Sequence, residues 1–274
     1  MMKGQNILAA TLSTLCLVVT PVHAAPPDAA RLMQQMKAVF EPSQPTIRRV
    51  VITTGTAADN AEWIAAQAVK QLPDGTAMLT VILAPESLVG SAFLVRERPG
   101  QASAMWVYAP AARRVREIVP VDAYEHFLGT DFTYADLGLV RLHEHYRFLG
   151  EADHDGQRAY KVEEVVPEER AYYSRIITWI GVDSKLPLQR EYYDVAGELW
   201  KAEEFTEVTP INGVPTPLRI TMQDVQVQNT TELHFAQVHA GTEVSDSLFD
   251  PEQLSQVAEA SLWQEYRSPA SAAE

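Results

Sequence analysis

Cysteine is almost absent from this chain of 274 residues, which contains a single one, Cys16. It lies in an apolar run over residues 7–19, which follows Lys3 and precedes the small-residue sequence Val22-His23-Ala24. This arrangement predicts a secretory signal peptide over residues 1–24. Because its cleavage would remove Cys16, the mature chain is expected to be stable through its core, without a disulfide.

Long hydrophobic runs are also lacking. The run over residues 7–19 is shorter than the roughly 20 residues that a helix needs to cross a bilayer, and no later run is longer. Leu15 precedes Cys16, whereas a bacterial lipoprotein signal needs a small residue there. We therefore expect a soluble, exported protein without a lipid anchor.

Basic residues are scarce. Lys and Arg number 22 against 36 Asp and Glu, which gives a formal net charge of −14, and loss of Lys3 makes the mature chain more negative still. Such a surface repels phosphate backbones and anionic headgroups. Nucleic acid is therefore not an expected partner, and adsorption onto an acidic membrane is disfavoured.

Motifs of catalysis and cofactor binding are missing too. The sequence has no Gly-x-Ser-x-Gly elbow, no phosphate-binding P-loop and no Gly-x-Gly-x-x-Gly fingerprint. Asp131 and Asp136 could act as an acid–base pair, although Asp in a loop more often caps a turn. His143 and His145 would share one face of a strand and could bind zinc if a further ligand joined them. The sequence favours neither reading, so we expect a protein that is not an enzyme and holds no metal or cofactor.

Alternating short runs rich in Val, Ile, Thr, Tyr and Trp dominate the chain after one amphipathic helix, which starts at a capping Asp28 and stops before Pro42. A last helix is expected to begin at Asp250-Pro251. Residues 78–84 are apolar at every position but one, so that strand should be covered on both sides. The predicted strands lie near 47–54, 62–72, 77–84, 91–97, 104–109, 113–118, 142–150, 158–166, 174–181, 187–194, 198–208, 217–228 and 231–239.

So many evenly spaced strands favour a mainly β (α+β) fold: a half-open, strongly curved antiparallel β-barrel with helices covering its concave face. The space inside could be an open cavity or a packed core, since both use the same residue types.

The pattern of predicted strands is interrupted between about residues 120 and 138. This region includes an aromatic stretch, residues 127–137, which contains Phe127, Phe132 and Tyr134. One interpretation is a plug that fills one end of the barrel. The other is a lid that moves aside for a hydrophobic guest.

Arg113, Arg114 and Arg116 form the basic cluster of this acidic chain, just after Trp106 and Tyr108. They could be solvated arginines of a hairpin. They could also contact an acidic partner protein or a lipid headgroup at the rim of the sheet.

Three motifs occur in order along the chain: residues 85–94 (PESLVGSAFL), 106–116 (WVYAPAARRVR) and 129–137 (GTDFTYADL). With the later stretches 173–179 and 193–197 and Lys201, they resemble the LolA-like family of bacterial outer-membrane lipoprotein-sorting proteins. The resemblance covers nearly the whole mature chain. It implies a single LolA-like domain over residues 25–266, with residues 267–274 left as a disordered tail.

The resemblance implies a periplasmic carrier or chaperone, in which an incomplete β-barrel binds the acyl chains of its cargo under a helical lid. The implied partners are lipid or acylated lipoprotein cargo and either an inner-membrane transporter of the resistance-nodulation-division (RND) type or an outer-membrane acceptor. An alternative is a periplasmic adaptor of such an exporter that transports nothing itself. The candidate lipid-binding and lid residues are Phe93, Trp106, Tyr108, Phe127, Phe132, Tyr134 and Leu137, and the candidate partner or headgroup contacts are Arg113, Arg114 and Arg116.

Overall fold

A computed structural model describes residues 26–56, 59–99, 101–138, 145–165 and 172–269. The strands are β1 (Thr46–Gly55), β2 (Asn60–Leu72), β3 (Gly75–Ala84), β4 (Ala92–Glu97), β5 (Ala104–Ala109), β6 (Arg114–Glu117), β7 (Tyr146–His154), β8 (Gln157–Val165), β9 (Arg175–Gly181), β10 (Pro187–Tyr193), β11 (Leu199–Ile211), β12 (Val214–Asp224) and β13 (Asn229–Ala240). The α-helices are α1 (Ala29–Phe40) and α2 (Leu254–Ala258). Short 3₁₀ helices lie at Glu86–Leu88, Pro110–Ala112, Asp122–Tyr124, Phe127–Gly129, Asp246–Phe249, Pro251–Gln253 and Ser261–Tyr266.

All thirteen strands belong to one antiparallel sheet in the order β6-β5-β4-β3-β2-β1-β13-β12-β11-β10-β9-β8-β7. Every neighbouring pair except β1 and β13 is also adjacent in the chain, so the sheet is built from hairpins. The edge strands β6 and β7 follow each other in sequence and do not pair. Between them, the described residues 118–138 contribute Ile118, Ala123, Phe127, Phe132 and Tyr134 to a buried apolar cluster with strands of the sheet.

The sheet curls around the aromatic stretch, residues 127–137. Tyr134 packs against Phe93 of β4, with ring centroids 5.2 Å apart, while Asp136 lies 3.4 Å from Lys201 of β11. β4 and β11 are six positions apart in the sheet, which in a flat sheet at about 4.8 Å per strand would be about 29 Å. Because two residues of one stretch reach both strands, the face they contact is the inner face of the curl.

Both faces of the first five strands are buried. In β3, Met78 and Ile82 face inward, whereas Leu79 and Val81 belong to an apolar cluster on the outer face. This alternation is the two-residue period of a strand, and it confirms the prediction that residues 78–84 are covered on both sides.

The C-terminal segment, which includes α2, covers the outer face. Trp263 and Tyr266 are each 1% exposed there, and burial of a large apolar side chain stabilises the fold by about 1.5–3 kcal/mol. The Trp263 indole donates to the carbonyl of Val257 at 2.7 Å, and Arg49 donates to the carbonyl of Tyr266 at 3.1 Å. Helical segments therefore cover both faces of the sheet, not the concave face alone.

Helix α1 lies across the inner face. Asp28 caps it by accepting from the backbone N–H of Arg31 at 3.2 Å, as its position in the sequence predicts. Its apolar side packs on β8 and β9, and the ring of Phe40 meets Phe205 of β11 edge-on at 5.4 Å. Lys37 pairs with Glu97 at the end of β4, at 2.7 Å. α1 thus links the two halves of the curled sheet.

The predicted half-open, curved antiparallel barrel is confirmed, as are all thirteen strands and the first helix. Two strand ends differ from the prediction by four residues: the strand expected over 142–150 runs to His154, and the strand expected over 217–228 ends at Asp224. The Asp224 carboxylate accepts from the backbone N–H groups of Gln226 and Val227, which makes a turn there. No helix among the described residues is long and apolar enough to cross a membrane.

Candidate functional site

A pocket opens on the inner face beside the C-terminal end of α1. The space between its walls comes to about 730 Å³, but that volume runs out through the mouth into solvent, and the enclosed cavity is about 80 Å³. At roughly 10–15 Å³ per water, the cavity holds several water molecules but not a whole long acyl chain. A smaller cavity of about 50 Å³ adjoins it and shares Phe40, Pro42, Arg48 and Thr216.

The lining of this inner pocket combines apolar and charged side chains. Its apolar members come from strands on both sides of β1 and from the aromatic stretch: Val69, Met78, Phe132, Leu137, Ile220, Leu233 and Phe235. Its charged members are Glu41, Arg48, Asp136, Arg190 and Glu203. The pocket can therefore surround an apolar chain and also contact a polar group.

Arg48 is held in place by a polar row that crosses three strands. Arg48, Gln67 and Thr80 are register partners on β1, β2 and β3. The Gln67 carbonyl accepts from Arg48 Nε at 2.9 Å, and its amide nitrogen donates to Thr80 Oγ1 at 3.1 Å. The Arg48 guanidinium also lies over the ring of Phe235, 3.6 Å from the centroid. Burial lowers the pKa of Arg48 from its ordinary value to about 9, so the group stays protonated at neutral pH.

A bulge in β13 lies opposite Arg48. The register between β1 and β13 shifts between Ile47 and Arg49, so two residues, Gln237 and Val238, oppose Arg48 alone. Gln237 has a positive φ of 46°. Bulges of this kind bend a strand and change the direction in which neighbouring side chains point.

Arg190 of β10 lines the opposite wall. Its Nη1 donates to Glu203 at 3.3 Å, while its Nη2 is buried and has no hydrogen-bond partner in the described part of the chain. Burial by itself would lower the pKa of Arg190, but Glu203, Tyr192 and Glu164 together outweigh it and the pKa is raised. Tyr192 donates its hydroxyl to the same Glu203 oxygen at 2.6 Å. Glu203 is thus well satisfied, whereas Arg190 retains an unused donor.

Among the charged side chains of the inner pocket, Arg48 differs from the others in its partner. Each lining carboxylate has a cationic partner: Glu41 with Lys37 at 3.0 Å, Asp136 with Lys201 at 3.4 Å, and Glu203 with Arg190 at 3.3 Å. Arg48 forms no ion pair with any carboxylate of the described residues, and its acceptor is the neutral amide of Gln67. The Arg48 guanidinium therefore faces the inner pocket without a carboxylate partner among the described residues.

Buried hydrogen bonds tie the aromatic stretch to the sheet at Asp131. Its carboxylate accepts from Asn229 at 2.8 Å and from the Thr231 hydroxyl at 2.7 Å, both on β13. Its backbone N–H donates to the Thr231 hydroxyl at 2.9 Å, and that hydroxyl also meets Thr54 of β1 at 2.7 Å. This end of the stretch is fixed to the far end of β1 from Arg48.

A second anchor joins the stretch to β11. Lys201 is fully buried, and its Nζ donates to the carbonyl of Asp131 at 2.7 Å and lies 3.4 Å from Asp136. Tyr173 donates its hydroxyl to the Asp136 carboxylate at 3.0 Å. Burial and then the neighbouring Asp136 raise the pKa of Tyr173 well above its ordinary value, so it remains a donor. Asp131 and Asp136 therefore serve as structural anchors of this stretch.

The structure brings most of the sequence-predicted apolar residues together. Phe93, Phe127 and Tyr134 form a trio with ring centroids 5.2–5.8 Å apart. Phe132, which is 1% exposed, and Leu137 line the inner pocket. These five predicted residues lie on the inner face.

Trp106 and Tyr108 do not join them. They alternate with the inward-facing Met105 and Val107 of β5 and so belong to the apolar cluster on the outer face, under the C-terminal segment. Because side chains of a strand alternate between faces, neither can contact a guest inside the curl without rearrangement of the sheet.

The predicted basic residues lie at the β6 edge, in the hairpin with β5. Arg116 pairs with Asp122 at 2.5 Å and with Glu125 at 3.6 Å. Arg113 and Arg114 are exposed and have no ion pair among the residues that the structure describes. The hairpin is confirmed, and the two exposed arginines are available to solvent.

Of the possible zinc ligands, His143 lies outside the described residues and His145 is exposed just before β7. Within the described ranges no group of three or more His, Cys, Asp or Glu side chains could hold a metal ion.

Sequence reasoning missed Arg48 and Arg190 as site residues. The available signal was a charged residue inside an otherwise apolar strand, as in Ile47-Arg48-Arg49-Val50. Only the register shows that Arg48 meets a neutral Gln67 and faces inward, whereas Arg49 points outward to the C-terminal segment.

This architecture is similar to that of known proteins. A family model, described only as that of an uncharacterized protein, matches residues 74–256, which is more than half of the chain. A domain assigned to outer-membrane lipoprotein sorting, from Vibrio parahaemolyticus, superposes with a TM-score of 0.77 at 23% identity, over 83% of this chain and 100% of that one. The chain belongs to the family of that model, and its fold is LolA-like.

Further solved structures share the LolA-like fold. A DUF1329 family protein from Desulfovibrio piger has a TM-score of 0.75 at 23% identity, over 82% of this chain and 97% of that one. A LolA superfamily protein from Nitrosomonas europaea has a TM-score of 0.65 at 19% identity, over 82% and 98%. No curated protein matches the chain. At these identities the likeness to the solved structures concerns the fold.

Proposed function

We propose that this LolA-like protein is a non-enzymatic periplasmic carrier that binds lipid or lipidated cargo in the inner pocket. Residues 1–24 would direct its export, and residues 25–266 would form the carrier domain. The observation that carries the proposal is the inner pocket itself, a partly enclosed, largely apolar space between α1 and the curled sheet.

The free energy gained by burying an acyl chain in the inner pocket favours the carrier function. Each buried methylene of an acyl chain contributes about 0.8 kcal/mol, so even a few methylenes inside the pocket stabilise a complex measurably. The enclosed volume of about 80 Å³ admits only part of a chain, so full uptake needs one wall to move.

The wall most suited to move is the C-terminal end of α1. Phe40 and Pro42 line both cavities and are partly exposed, and side-chain contacts such as Phe40 with Phe205 and Lys37 with Glu97 join this end to the sheet. The aromatic stretch, by contrast, is tied by the buried networks of Asp131 and Lys201. The lid would then be α1, with Phe132 and Leu137 as the fixed floor of the pocket.

Filling the pocket mouth tests this role. Thr216 lines both cavities, so Thr216→Trp should obstruct them and reduce the affinity for a fluorescent long-chain lipid by about 10-fold or more, equivalent to losing about two buried methylenes. The matched control is Thr206→Trp on the exposed side of β11, which should bind like the wild type. Titration of the probe into both variants, with melting curves to verify folding, gives the comparison.

An adaptor of an exporter remains the second candidate, favoured by the exposed Arg113 and Arg114 at the unpaired edge of β6. The same titration separates the two functions. A wild-type protein that takes up no lipid probe would contradict the carrier and favour the adaptor.

A further inference from the structure

The inner pocket contains a cationic group, the Arg48 guanidinium, that is available to bind an anion. Arg48 is neutralised by no described carboxylate, although Glu41, Asp136 and Glu203 all line the same pocket. Each of those carboxylates has a different cation as its partner. The arrangement leaves Arg48 as the charge that a guest could neutralise.

Arg48 is also preorganised. The Gln67 carbonyl holds one edge of its guanidinium, and the ring of Phe235 lies against its face. A guanidinium has five N–H donors, of which this amide uses only a part. A group already fixed in position loses little conformational entropy when it binds an anion.

A second donor lies in the same pocket. Arg190 Nη2 is buried without a partner, although a buried unpaired donor normally costs stability. Both arginines line the inner pocket, which is otherwise apolar at Val69, Ile220 and Leu233. Guanidinium groups match carboxylate and phosphate oxygens closely.

We infer that the guest of the inner pocket is an anionic amphiphile, whose carboxylate or phosphate headgroup binds Arg48, assisted by Arg190, while its chain lies against the apolar lining. This inference rests on the proposed carrier function and names the chemical class of its guest. It also assigns Arg48 as the residue that distinguishes an anionic lipid from a neutral one.

Four probes test the inference on the wild-type protein: hexadecanoate, hexadecyl phosphate, hexadecanol and inorganic phosphate. The two anionic amphiphiles should bind at least about 10-fold more tightly than the alcohol, as expected for a charge-assisted hydrogen bond. The tighter of the two identifies the headgroup as a carboxylate or a phosphate. Inorganic phosphate, which has no chain, should bind far more weakly than hexadecyl phosphate. Equal affinities of these two probes would contradict the inference that the guest is an amphiphile.

Arg48→Met keeps the apolar part of the side chain and removes the charge. It should reduce the affinity for the anionic amphiphiles to that for hexadecanol while leaving the alcohol unaffected. Arg158→Met, at an exposed position of β8, is the matched control and should change neither. Melting curves confirm folding, and Arg48→Lys, which keeps a positive charge, should retain part of the preference if Arg48→Met proves unstable.

The outcomes separate the two proposals. Equal binding of hexadecanol and hexadecanoate, unchanged by Arg48→Met, would overturn the anion site and leave the carrier intact. No binding of any probe with a chain would overturn the carrier, and the anion site with it.

Discussion

Replacing Lys201 with methionine is expected to lower the free energy of unfolding by about 3–5 kcal/mol. Lys201 is 0% exposed, and its Nζ joins the carbonyl of Asp131 to the carboxylate of Asp136. Methionine fills a similar volume but leaves Asp136 as a buried charge without its cation. Urea unfolding monitored by tryptophan fluorescence measures the change.

Two further variants make this result specific. Lys161→Met, which removes a lysine that lies over Trp179 on β9, should cost no more than about 1 kcal/mol. Lys201→Met combined with Asp136→Asn removes both charges and should recover part of the loss, since the uncompensated charge is the main cost. A loss below about 1 kcal/mol in the single variant would show that the buried pair does not anchor the stretch.

Phe132→Asp is expected to destabilise the protein by more than about 4 kcal/mol, because it removes a buried aromatic ring and introduces a carboxylate in its place. Phe132 is 1% exposed, and its neighbour Asp131 is tied to β13. Thermal and urea unfolding of the purified variant measure the loss. Such a loss of stability is expected if Phe132 belongs to the fixed floor of the inner pocket.

The matched control for Phe132→Asp is Val121→Asp, which also introduces a carboxylate between β6 and β7. Val121 is 78% exposed, so the change should stay within about 0.5 kcal/mol. A Phe132→Asp variant that is as stable as the wild type but fails to bind lipid would instead identify the aromatic stretch as a movable lid.

Strand identity could be predicted from the sequence because the two-residue alternation and the turn residues agree along most of the chain. Where they disagree, the prediction is wrong: Val225 and Val227 continue the β-branched composition beyond β12, out of phase with Ile220 and Met222, and Val227 is 67% exposed in a turn capped by Asp224. A side-chain cap competes with the hydrophobic pattern there, and pattern alone does not reveal which one prevails.

The faces of the sheet could not be assigned in the same way. Alternation shows that Trp106 and Tyr108 share a face, but not whether that face is inside or outside the curl. In the structure the C-terminal segment covers them. Which helical segment covers which face depends on contacts between distant parts of the chain, such as Arg49 with Tyr266.

The candidate site was predictable only in its apolar part. Phe93, Phe132 and Leu137 could be proposed from residue type and family resemblance. The role of Arg48 depends on strand register, which places Gln67 rather than a carboxylate beside it, and on the curl, which brings Arg190 of a distant strand into the same pocket.

The central claim is that the inner pocket binds a lipid guest. Native mass spectrometry of the protein isolated from its native cells, before and after organic extraction, tests it most directly. We expect a complex with one lipid mass that extraction removes, and the released guest should carry an acidic headgroup. A protein that shows only its bare mass, both as isolated and after incubation with long-chain lipids, would contradict the account.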